Sequence, residues 1–107
     1  MSIRVPRGDA DEVINRFIEA LRAYEVDHPN AQIDLYRQNS VSVRIRIIDP
    51  DLAAKVRIDR NKEAWKYLGS LPDDIQSDLS SLILLAPEET KTSFANIEFE
   101  DPVPSQL

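Results

Sequence analysis

At 107 residues, with 42% hydrophobic and 30% charged side chains, the chain has the composition of one globular domain, and folding at this length buries roughly two thirds of the surface the unfolded chain exposes. It has no cysteine, which excludes disulfide staples, thiolate metal sites and a cysteine nucleophile. A net charge of −6 opposes the counterion release that supplies most non-specific affinity for nucleic acids and anionic membranes.

The first residues carry Arg4, Arg7, Asp9, Asp11 and Glu12 without an apolar stretch. That pattern is unlike a secretory signal, and no run approaches the length of a membrane span, so the expected location is the cytoplasm. Asp9 followed three residues later by Glu12 resembles a capping box and predicts a helix start there. Ala10, Val13, Ile14, Phe17, Ile18, Leu21 and Tyr24 then recur at the spacing of one helix face, and the helix is expected to end before His28-Pro29-Asn30.

Ile33 and Leu35 alternate with polar neighbours, as do Val41, Val43, Ile45 and Ile47 after a polar turn at Gln38-Asn39. Period-two alternation predicts a hairpin of two half-buried strands, with Asn39 able to supply a left-handed turn residue. Asp49-Pro50-Asp51 predicts a short helix or turn through Leu52, Ala53 and Ala54. A second main helix is expected with Ile58, Asn61, Ala64, Trp65 and Leu68 on its inner face and Gly69 at its end. Leu71 to Ile75 reads as a brief helical turn. Leu79, Leu82, Ile83, Leu84 and Leu85 fit either a helix or a buried strand by periodicity, and the expectation is a strand bounded by Pro87.

The expected fold is α+β, a small three-stranded mixed sheet with helices packed on one face in the order α-β-β-α-α-β. One domain covers residues 1–89, and 90–107 form a C-terminal tail, closing with Pro102 and Pro104, that is partly ordered or packed on the domain.

Four patches carry a family resemblance. They are Val43-Arg44-Ile45-Arg46-Ile47-Ile48, Pro50-Asp51-Leu52-Ala53-Ala54-Lys55, the helix from Arg57 to Trp65 with Arg60 at a motif arginine, and Leu82-Ile83-Leu84-Leu85-Ala86-Pro87-Glu88-Glu89. Over roughly Asp11 to Glu89 the chain resembles the BolA family, and the resemblance implies a KH-like α+β domain. BolA-like proteins partner monothiol glutaredoxins and share an iron–sulfur cluster through Cys or His ligands. Here the family's histidine after the motif arginine is Asn61, its histidine before the last strand falls on or near Asp78, and its ligand-bearing loop is a short turn around Asn39. No iron–sulfur ligation, and no cofactor or metal, is therefore expected.

Among candidate site residues, His28 reads as a helix-ending structural histidine. Arg44 and Arg46 share one sheet face, with Arg37 across the turn, and read either as cross-strand partners of Asp34 and nearby acids or as a docking surface for an acidic peptide or phosphate. Trp65 is assigned to the core. Arg60 reads as an anchor to the closing turn or as a surface arginine. Asp49, Asp51, Asp73 and Asp74 read as helix-start acids rather than cation ligands. Phe94, Ile97 and Phe99 are apolar anchors that pack on the domain or enter a partner groove. No nucleophile elbow, P-loop or dinucleotide fingerprint is present. The expectation is a non-enzymatic protein-interaction or adaptor module, monomeric or weakly self-associating, with Arg37, Arg44, Arg46, Arg60, Phe94, Ile97 and Phe99 as its possible contact surface and its protein partner unidentified. The alternative is a KH-like nucleic-acid-binding domain, which the missing G-x-x-G loop and the net charge oppose.

Overall fold

A computed structural model describes residues 3–102. Residues 103–107 of the expected tail, Pro104 among them, lie outside the described residues. In chain order the elements are β1 (Ile3–Arg4), α1 (Glu12–Asp27), β2 (Gln32–Asn39), β3 (Ser42–Ile48), a 3-10 turn (Pro50–Ala54), α2 (Arg57–Leu68), α3 (Asp73–Gln76), β4 (Leu79–Leu85), a second 3-10 turn (Pro87–Glu89) and α4 (Phe94–Glu100). The fold is α+β around a four-stranded mixed sheet in the order β1-β2-β3-β4. The expected count was three strands; β1, two residues pairing parallel with Ile33 and Asp34, is the fourth, and two residues are too short to show alternation.

Helix α1 begins later than the Asp9 start. Asp11 is its N-cap, accepting a 2.9 Å hydrogen bond from the Ile14 amide. Asp11 prevails because it also binds Arg37 of β2 at 2.5 Å, which ties the helix start to the sheet. Ala10 is thereby left exposed before the helix, while Ile14, Phe17, Leu21 and Tyr24 enter the core.

Strands β2 and β3 form the antiparallel hairpin, with Leu35 opposite Ile45 and Asp34 opposite Arg46. No non-glycine residue among those described has positive φ, so the turn does not use Asn39 in a left-handed conformation. Asn39 instead accepts from the Val41 amide through its side chain at 2.9 Å, and Val41, expected on the buried face, is exposed in the turn. Strand β4 joins β3 in parallel, which requires the crossover that α2 and α3 provide. The resulting core is Ile33, Leu35, Val43, Ile45 and Ile47 under α1, with Leu68 and Ile75 closing it.

Helix α2 is rotated relative to the stripe expected for it. Ile58 is 67% and Trp65 37% exposed, so Trp65 is not a core residue. The inward residues are Ala64 and Leu68, together with the partly buried Arg60, Glu63 and Tyr67. The inner face is half polar because Glu63 and Tyr67 meet His28, just beyond α1, and Tyr24 of α1, while Arg60 meets Glu89, and apolar spacing alone misplaces such a face. Gly69 ends the helix at φ −68°. A Cβ there would lie 2.8 Å from the Trp65 carbonyl oxygen, so glycine serves close approach rather than a left-handed turn.

Helices do not lie on one face only. Helix α4 crosses the opposite face of the sheet, where Phe99 packs with Tyr36 and Ile83, and Ser93 caps it by accepting from the Asn96 amide at 3.1 Å.

Candidate binding groove

Three polar regions carry the residues singled out by the sequence. The first lies beneath α4. Asp34 and Arg46 are cross-strand partners joined at 2.6 Å, their side chains 0% and 4% exposed. Arg46 also donates to Asn96 Oδ1 at 2.8 Å and Glu100 at 2.5 Å, and its guanidinium stands 4.5 Å over the Phe99 ring. Arg44 pairs with Glu98 at 3.1 Å, and the Tyr36 hydroxyl donates to the Phe99 carbonyl at 2.8 Å. Arg46 and Phe99 are thus buried against each other, not displayed on an open sheet face. Arg37 lies apart from them, held by Asp11 and Asp78 at the other side of the sheet.

The second region gathers around His28, whose partners come from residues distant in sequence. Nδ1 lies 2.8 Å from Asp51 and 3.3 Å from the fully buried Asp49, and Nε2 lies 3.1 Å from Glu63. Tyr24 donates to Asp49 at 2.7 Å and its ring stacks on His28 at 4.2 Å. Burial opposes a charge on His28, but the hydrogen bonds to Asp51 and Glu63 and the charge of Asp49 outweigh it and raise its pKa above the ordinary value. Glu63 is held below the usual carboxylate range, first by Lys66 and then by His28. Asp49 also accepts from the Asp51 amide at 3.0 Å, capping the 3-10 turn. Ligand atoms of His28, Asp49 and Asp51 lie within 4.8 Å of one another, but a protonated imidazole already uses both nitrogens as donors to the carboxylates. The group is self-satisfied and fastens α1 to the 3-10 turn and α2.

The third region is a groove of about 850 Å³ between the start of α2 and α4, with β4 along its floor. Arg60 crosses it, donating to the Lys55 carbonyl at 2.9 Å, to the Leu84 carbonyl at 3.1 Å, and to both oxygens of Glu89 at 2.6 and 3.2 Å. Glu89 accepts from the Ala86 amide at 2.7 Å, and its pKa is lowered by Arg60 foremost. Arg60 is therefore the clamp on the turn that follows β4. Val56 and Phe94, 68% and 87% exposed, stand on either side of the groove, and Ile97, 55% exposed, lies one helical turn beyond Phe94. The sequence had marked Arg60 and Phe94, but not Lys55, Val56 and Arg57, since only the packing of α2 beside β4 brings them together.

No family model, no curated protein and no solved structure matches the chain. Among the described residues no helix is long and apolar enough to cross a membrane.

Proposed function

We propose that this chain is a non-enzymatic protein-interaction module, a BolA-like domain without iron–sulfur ligation, whose contact surface is the groove beside β4. The observation that carries this reading is the exposure of Val56 and Phe94 on either side of a strand edge. Such large apolar side chains bordering an unpaired edge suit a protein partner. Support also comes from the ionisable clusters, whose members pair with one another: His28 with Asp51 and Glu63, and Arg46 with Asp34. The element order from α1 through β4, and the Arg60 clamp on Pro87-Glu88-Glu89, support the BolA-like part of the reading.

The test is site-specific photo-crosslinking in the native host, with a benzoylphenylalanine at position 94 and, as control, at the exposed Glu19 of α1. The expected result is a discrete adduct from position 94 alone, with a protein that also binds the purified chain and loses that binding on Phe94→Ser. Equal adducts from both positions, or a nuclease-sensitive adduct, overturn it.

A further inference from the structure

Resting on the interaction reading above, we infer that the occupant of the groove is an acidic, extended segment of a partner protein that adds to β4 as a fifth strand. The two edges of the sheet differ. The β1 edge is two residues long, and its Arg4 is tied to Asp34 at 2.8 Å. The β4 edge runs for seven residues, LSSLILL, with neither a charge nor a proline. Short strands, charges and prolines are the ordinary protections of an edge against pairing, whereas β4 has a register irregularity near Ser80 and, at its far end, the Arg60 guanidinium on its Leu84 carbonyl.

The free hydrogen-bonding groups can be located. The Leu85 carbonyl accepts from the Asp49 amide on the β3 side, at 2.9 Å. Alternation therefore turns the backbone groups of Leu82 and Leu84 outward, consistent with Arg60 donating to the Leu84 carbonyl. The amide and carbonyl of Leu82 and the amide of Leu84 face the groove, and among the described residues none takes a hydrogen bond there.

Charge selects the partner. Of the charged residues lining the groove, Arg60 and Glu89 neutralise each other. Lys55 and Arg57 remain, neither in an ion pair among the described residues, in a chain whose net charge is −6. An incoming strand with carboxylates answers Lys55 and Arg57, and its apolar side chains meet Val56 and Phe94. A second copy of β4 would bring no carboxylate, since Leu79–Leu85 has none.

The experiment titrates the full chain with three short fluorescent peptides: alternating glutamate and valine, alternating lysine and valine, and the glutamate–valine peptide with alternate backbone nitrogens methylated. Anisotropy and amide chemical shifts are read together. The glutamate–valine peptide is expected to bind at about 10–100 µM, to weaken with salt, and to shift the Leu82 and Leu84 amides. The double variant K55E/R57E should lose about tenfold in affinity, and the methylated peptide should not bind. The inference is overturned by equal binding of the lysine–valine or methylated peptide, by no binding of the glutamate–valine peptide at about 1 mM, or by a concentration-dependent dimer that shifts the same amides without peptide. An adduct from position 94 together with failure of the acidic peptide would leave the interaction reading standing and remove the acidic strand alone.

Discussion

The two faces of the sheet are both covered, by different means. On one, Ile33, Leu35, Val43, Ile45 and Ile47 meet α1, α2 and α3 in an apolar core. On the other, Asp34, Arg46, Tyr36 and Ile83 meet α4 in a layer built around a buried ion pair. The first face gains from removing apolar area from water, which is insensitive to orientation. The second depends on geometry, because desolvated charges are tolerable only while each keeps its partner. Among the described residues the Arg46 Nε has no hydrogen-bond partner, and the guanidinium carbon stands over the Phe99 ring. The layer under α4 is therefore the more easily broken by a single change.

The largest effect is expected from Arg46→Ala. Among the described residues it leaves the fully buried Asp34 with the exposed Arg4 as its cationic partner and with Gln32, and should cost about 3–5 kcal/mol in urea unfolding. The double replacement Asp34→Leu with Arg46→Met, which removes both charges, should cost less than Arg46→Ala alone. If it costs as much, burial of the pair is not what makes this face demanding.

On the apolar face, Leu35→Ala should cost about 2–5 kcal/mol by leaving a cavity at a fully buried site, and Leu35→Met less than about 1.5 kcal/mol. Equal losses for both would mean that the helix-covered face is also shape-critical, and the contrast between the faces would narrow.

How much of this was legible in the sequence follows the same division. Alternation in β2 and β3 placed Ile33, Leu35, Val43, Ile45 and Ile47 correctly, because a period of two survives any tertiary arrangement. The strand at Leu79–Leu85 and the proline-started turns were also readable. What covers the far face was not, since α4 is seven residues long and its two exposed apolar side chains, Phe94 and Ile97, blur its amphipathic pattern. The His28 cluster was hidden for another reason. Asp49, Asp51 and Glu63 reach the ring only through the crossing of α1 with the 3-10 turn and α2, and no spacing rule encodes such a crossing.

That cluster yields a smaller, pH-dependent effect. The folded pKa of His28 is raised above 6.5, so its contribution is complete below that value and is lost as pH rises through the higher folded pKa. Glu63 acts oppositely: its lowered pKa gives stability above about 4.5 that disappears as pH falls through the folded value. His28→Gln should lower stability at pH 5.5 by about 2 kcal/mol, the scale of hydrogen bonds to charged groups, and should flatten the decline above neutrality. Denaturant midpoints across pH 5 to 9 check this. An unchanged slope in the variant would place the pH response elsewhere and remove the cluster as a fastening between α1 and α2.

The smallest effect is expected at the rim of α4. Phe94 is 87% exposed and begins the helix whose other end, Phe99, is buried. Phe94→Ser should therefore change stability by no more than about 0.5 kcal/mol, while Phe99→Ala should cost about 3 kcal/mol and release protection of the α4 amides in hydrogen exchange. The pair separates two uses of one short helix. Its C-terminal half closes the charged face of the sheet, and its first residue is held outward beside β4, where a large aromatic side chain contributes little to the fold. If Phe94→Ser destabilises the domain as Phe99→Ala does, residue 94 belongs to the layer under α4 and the groove loses one wall. If it is neutral to folding but weakens binding of the acidic peptide, α4 carries the closure of one sheet face and the recognition surface at the sheet edge on the same two turns.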